Sequence, residues 1–211
     1  MDTNDLISKL SASPPVAPMD DRRVMALAFG AVALPIAVFL AVAGVRHGLG
    51  QAIADPLVMV KTLLPLLAFA LALPELPRLT RPEGAGETRL FRLGLPLLAA
   101  LLLLVVTLFD GEAVATFLKP GLFGVVECLG LISLLSIAPI WVGLRLLRQG
   151  AVTEPGFAGA VAGFVAGSGV AAGYSLFCTR DNPLFYLVWY GIAIAIATLA
   201  GAVMGRRMLR W

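Results

Sequence analysis

The side chains in this sequence able to do chemistry beyond packing are few. Cys128 and Cys178 are its two cysteines, Glu127 adjoins the first, Asp181 follows the second, and His47 is the one histidine. Two thiols support two chemistries. They can bridge if their Cα atoms come within about 7 Å, or they can share a soft, thiophilic metal ion. The competing reading is that each is a small buried apolar residue, a common place for a free cysteine. No CxxC or CxxH pattern decides between them. Glu127 reads as a carboxylate at an aqueous interface, because an acid inside an apolar span is costly without water or a partner. His47 reads as a solvated loop residue. Lys61 reads as a long side chain snorkelling from the end of its span.

These residues are set in an apolar chain. Of its 211 residues 59% are hydrophobic and only 14% are charged, with a mean hydropathy of +0.92. Soluble domains carry about a quarter charged residues. Such a chain belongs in a bilayer, where one crossing needs about 20 apolar residues. Six segments qualify: 24–44, 56–76, 93–109, 124–144, 156–177 and 184–204. The alternation expected of a membrane β-barrel is absent. The expected fold is therefore an all-α membrane protein, a bundle of six transmembrane helices over residues 24–211, preceded by a polar segment 1–23. That segment, with Asp20 and Asp21 before the first span, lacks the short basic start of a cleavable signal peptide. It is expected to stay on the protein.

Six crossings put both termini on one side. That side collects 12 lysines and arginines, and the other collects only Arg46, Lys119 and Arg180. Basic residues gather on the cytoplasmic side, so both termini are expected in the cytoplasm. The thiols are then expected near the opposite, outer face, Cys128 at the start of span four and Cys178 at the end of span five. In a bacterium that face meets the oxidising periplasm, where disulfides persist. Tyr174, Tyr186, Trp189 and Tyr190 are expected to form an aromatic belt at the same face.

The segment "MDTNDLISKLSASPPVAPMDDRR" is the one sizeable soluble piece. Leu6, Ile7 and Leu10 fall on one face of a short amphipathic helix, with Asp5 in its first turn. Pro14, Pro15 and Pro18 end it and stiffen a tether to the membrane. An isolated helix this short is marginal in water. It reads either as a tail lying on lipid or as a docking peptide for a partner's groove, and the tether favours docking. The segment "PRLTRPEGAGETRLFR" reads as a flexible loop. In span five, Gly159, Gly163 and Gly167 recur every four residues, followed by Gly169 and Gly173. That spacing allows close helix approach and predicts a central helix.

No GxSxG, HExxH, P-loop or dinucleotide fingerprint occurs, so neither an enzyme nor a cofactor is expected. Other classes remain. A small six-span transporter or channel would show intramembrane charge, for which Lys61 and Glu127 are slight support. A membrane thiol oxidoreductase would be expected to carry a CxxC or more cysteines.

Together the opening "MDTNDLISKL", the Pro15-Val16 pair, the motif C-x-x-D-x-P-x-F-x-x-x-W (Cys178, Asp181, Pro183, Phe185, Trp189) and the closing "GRRMLRW" resemble the NrsF family of bacterial inner-membrane anti-sigma factors. The resemblance spans the whole chain. It implies a protein that sequesters an extracytoplasmic-function sigma factor without touching nucleic acid itself, and that releases it on a stress such as a heavy metal. It implies that cysteines like Cys128 and Cys178 matter to that release. With it, the amino-terminal helix, through Asp5, Leu6, Ile7 and Leu10, becomes the expected sigma-binding end, and the thiols become the stress-sensing end for a heavy-metal ion or an oxidant.

Overall fold

Residue choice at the helix starts sets much of the architecture. Asp20, Asp55 and Asn182 each accept a hydrogen bond from the backbone N–H two residues on, the N-cap geometry. Pro56 and Pro183 follow at the first helical position, where a missing N–H costs nothing. The computed structural model describes residues 2–12, 20–117, 119 and 122–210. Its helices are α1 (Thr3–Ala12), α2 (Asp21–Ala43), α3 (Leu49–Ile53), α4 (Pro56–Ala72), α5 (Glu75–Arg78), α6 (Gly84–Glu87), α7 (Gly94–Leu108), α8 (Gly111–Phe117), α9 (Leu122–Leu147), α10 (Pro155–Tyr174) and α11 (Pro183–Met208), with a 3-10 turn at Leu90–Leu93. No strand occurs among the described residues. Pro14, Pro15, Val16 and Pro18 of the expected tether, and Trp211, lie outside those residues.

Six stretches are long and apolar enough to cross a bilayer: Asp21–Ala43, Pro56–Arg78, Gly84–Leu108, Phe123–Leu147, Pro155–Tyr174 and Pro183–Met208. They match the expected six, with shifted ends. The fifth stops at Tyr174, so Cys178 sits on a turn beyond the helix rather than in its last residues.

Helix α10 is the centre of the bundle, mostly buried where no more than about a third of any other span is. Its glycines explain why. A side-chain carbon on Gly159 would run into the Gly201 carbonyl, and one on Gly163 into the Ala197 carbonyl. Both contacts are with α11 backbone, so the two helices touch main chain to main chain. On another face, Gly169 meets Val32 and Phe69, and Gly173 meets Ile36. Helix α2 contributes Val24, Ala28 and Val32 at a spacing of four, all buried. The outward leucines of α7, such as Leu95, Leu98 and Leu102, stay exposed, as a lipid-facing surface requires.

At the end carrying residues 20 and 210, the 75–89 segment is locked. Glu75 is 1% exposed and accepts from the Arg78 guanidinium at 2.6 Å and the Arg89 N–H at 3.0 Å. The Ala151 N–H donates to the Thr80 carbonyl at 2.7 Å, and Arg81 pairs with Asp21 at 2.8 Å. The "PRLTRPEGAGETRLFR" stretch is therefore built from helical turns and fixed contacts rather than an unstructured loop.

Candidate functional site

The two cysteines meet. Cys128 and Cys178 are both buried, and their sulfurs lie 3.8 Å apart. Cys128 is held within α9. Cys178 follows the end of α10, where its N–H donates back to the Tyr174 carbonyl at 3.1 Å. The Tyr174 hydroxyl donates to the Cys128 sulfur at 3.3 Å. Rings close over the pair: Phe39 packs edge-on against Phe177 at 5.0 Å, and Tyr174 against Tyr190 at 5.9 Å. The expected aromatic belt is thus corrected. Tyr174, Tyr186 and Tyr190 lie at the thiol end but are buried, walling the site instead of facing headgroups. The Tyr186 hydroxyl finds its acceptor in the Leu57 carbonyl at 3.0 Å.

The turn bearing Cys178 is gripped by two cations. Lys61 donates to the Cys178 carbonyl at 2.6 Å, the Arg180 carbonyl at 2.9 Å and an Asp181 oxygen at 3.3 Å. It is 1% exposed, so it does not snorkel to water as its place in the sequence suggests. Arg46 pairs with both Asp181 oxygens at 2.7 and 2.8 Å, and its guanidinium and N–H donate to the Cys178 and Leu176 carbonyls at 3.3 and 3.1 Å. Burial pushes the Asp181 carboxyl up, but hydrogen bonding from Arg46 and the charge of Lys61 outweigh it and leave it below the usual range. The Asp181 hydrogen bond in turn raises Arg46. Thr62 and Ser175 hydroxyls meet at 2.7 Å.

Beside the thiols opens a cavity of about 370 Å³ lined by both cysteines, Arg46, His47, Glu127 and Arg180. Glu127 is half-buried and His47 exposed. No group of three or more His, Cys, Asp or Glu fit to hold a metal ion occurs among the described residues. A thiol pair alone suits bridging, or a soft ion of low coordination number.

The remaining motif residues serve the same corner. Asp181 accepts from both cations, Pro183 starts α11, and Phe185 is buried with the Trp189 ring tilted against it at 6.5 Å. Helix α1 forms within the leader, as expected, with Asp5 in its first turn and Ile7 58% exposed. Leu6 and Leu10 lie on the same helix. Lys61 and Arg46 are the functional candidates the sequence hid. Their partners are more than a hundred positions away, and the one available signal was the cost of an intramembrane lysine.

The family model described as "Negative regulator of sigma F", NrsF, matches residues 10–211. The chain is 32% identical over 216 residues to the "Probable anti-sigma-F factor NrsF" of Azospira oryzae, all of both chains being covered. It is 32% identical over 218 residues to the "Anti-sigma-F factor NrsF" of Caulobacter vibrioides, again with full coverage of both. No solved structure matches.

Proposed function

The chain belongs to the NrsF family of negative regulators of sigma F and is by that membership an anti-sigma factor, and we propose how it works. It sits in the bacterial inner membrane with both termini in the cytoplasm. Helix α1 captures an extracytoplasmic-function sigma factor through Asp5, Leu6, Ile7 and Leu10. A periplasmic stress, heavy metal or oxidant, acts at Cys128 and Cys178, and the sigma factor is released. The protein regulates transcription through that partner, without contact with nucleic acid.

The observation that carries this reading is the thiol pair, side by side at the end of the bundle away from Asp21, the start of α2. An exposed apolar side chain at Ile7 supports docking. The oxidative step balances simply. Both S–H bonds break, one S–S bond forms, and the two protons and two electrons reduce a peroxide to water. A soft metal ion would instead take both sulfurs as thiolates, releasing their protons.

The test is a pull-down of the cognate sigma factor from solubilised membranes, with and without residues 1–18, before and after oxidant or thiophilic metal. Capture that needs the leader and ends on treatment supports the reading. Capture indifferent to the leader moves the binding site, with the 78–92 segment next to examine.

A further inference from the structure

An ionisable side chain buried at membrane depth is expensive and marks function more often than packing. Lys61 is such a residue, and all three of its acceptors lie on the one turn that bears Cys178. That turn also has a second grip, Arg46. The two grips differ in where they lead. Arg46 follows α2 in a loop at the thiol end. Lys61 sits on α4, which runs to the other end of the bundle and passes into α5. There the buried Glu75 is tied to Arg78 and Arg89. Beyond it, Arg81 pairs with Asp21, the first residue of α2 and next to the capped start at Asp20. The leader joins the bundle at this point.

Bridging must move something. The sulfurs are 3.8 Å apart, and a disulfide holds them at about 2.0 Å. Cys128 is fixed by the ladder of α9, whereas Cys178 rides on a turn outside any helix. Rotation of the two Cys side chains closes part of that gap. The share taken by backbone falls on the turn, whose Cys178 and Arg180 carbonyls hold the Lys61 ammonium.

We propose that Lys61 is the positioning residue that passes the state of the thiol pair to α4 and thence to the root of the leader, while Arg46 serves only to present Cys178 to Cys128. This rests on the thiol-responsive anti-sigma reading. Helix α4 is then the element whose two positions couple the ends of the molecule.

The experiment uses the full chain in solubilised membranes with diamide as oxidant. The two thiol hydrogens pass to the azo nitrogens, the S–S bond forms, and diamide is reduced to its hydrazine. Bridging is read by alkylation and gel shift, and retention by pull-down of the purified cognate sigma factor from the same sample. Wild type bridges and releases. Lys61→Met bridges, because Arg46 still holds the turn, but retains the sigma factor at the level of the unoxidised protein. Lys61→Arg, which keeps the cation, restores release. Arg46→Gln bridges slowly, and the bridged fraction releases. Release by bridged Lys61→Met equal to that of wild type overturns the proposal. A second measurement needs no variant: amide exchange across 75–81 in wild type rises on bridging, and unchanged exchange there overturns the proposal even if Lys61→Met fails to insert. Bridged wild type with raised exchange at 75–81 that still holds the sigma factor would support the coupling and sink the release reading.

Discussion

Arg46 and Asp181, 135 positions apart in the chain, close a two-pronged ion pair at 2.7 and 2.8 Å, and the turn between α10 and α11 hangs from it. Bidentate guanidinium–carboxylate pairing fixes orientation as well as distance. Asp181→Asn should loosen this turn and lower the melting temperature of the solubilised protein. Breaking one partner of a fully buried pair costs about 3–5 kcal/mol. Asp181 keeps 33% of its side-chain surface exposed, so its loss should fall below that range. The pH dependence has a definite sign. A carboxyl held below its ordinary value stabilises above the unfolded pKa of about 3.9, and the gain is lost as pH falls through the lower folded value. The melting-temperature gap between wild type and Asp181→Asn should hold at neutral pH and close only in acid below about pH 4. A gap that closes near pH 6 would point to another group.

The cysteines should act as one unit. Cys128→Ser and Cys178→Ser should each abolish sigma-dependent induction as completely as the double substitution, while insertion and capture persist. Residues in contact depart from additivity in this way. Transcription measured with and without oxidant or thiophilic metal decides. Normal induction in the double variant would end the thiol reading and turn attention to Glu127, Asp181 and His47.

Leu6, Ile7 and Leu10 carry capture in this account. Burying a large aliphatic side chain is worth about 1.5–3 kcal/mol, so replacing all three by Ser should remove detectable sigma binding in a pull-down. Membrane insertion should be untouched.

A glycine in the α10–α11 seam and one on α9 make a contrasting pair of predictions. Gly163→Val puts a side chain against the Ala197 carbonyl, with no room to turn aside. Overpacking costs about 1–3 kcal/mol where neighbours can shift. Here the neighbour is backbone, and the loss should reach the top of that range or exceed it. At Gly130 nothing lies within 4 Å of a new side-chain carbon, so Gly130→Ala should instead stabilise by about 0.5–1 kcal/mol. Thermal unfolding in detergent measures both.

The basic residues predict topology. Reporter fusions after residues 20 and 210 should be active only as cytoplasmic reporters, and one inserted at His47 only as a periplasmic reporter. Periplasmic activity after residue 210 would reverse the molecule and place the thiols in the cytoplasm.

Hydropathy made the six spans legible, and small-residue spacing made α10 central, because both properties are local and repeat along the chain. The thiol pair was legible only as two residues at one depth. Span counting gives depth but not which helices touch, so the 3.8 Å approach came from the fold. Lys61 was misread because a lysine near a span end has an inexpensive explanation in snorkelling, and its three acceptors lie about 120 positions away. The tyrosines were misread for a related reason. An aromatic near a span end suits a lipid interface and a helix interface equally. Only packing tells them apart.

Helix α10 also bears on how the protein is made. It is the least hydropathic of the six spans, rich in glycine, a residue that gives a nascent helix little reason to leave the translocation channel for lipid. What holds it in the membrane is contact with neighbours, above all the backbone seam with α11. Synthesis reaches that partner last. A chain halted before Pro183 would thus lack the backbone partner of that glycine face, and α10 would wait on α11 to complete its packing.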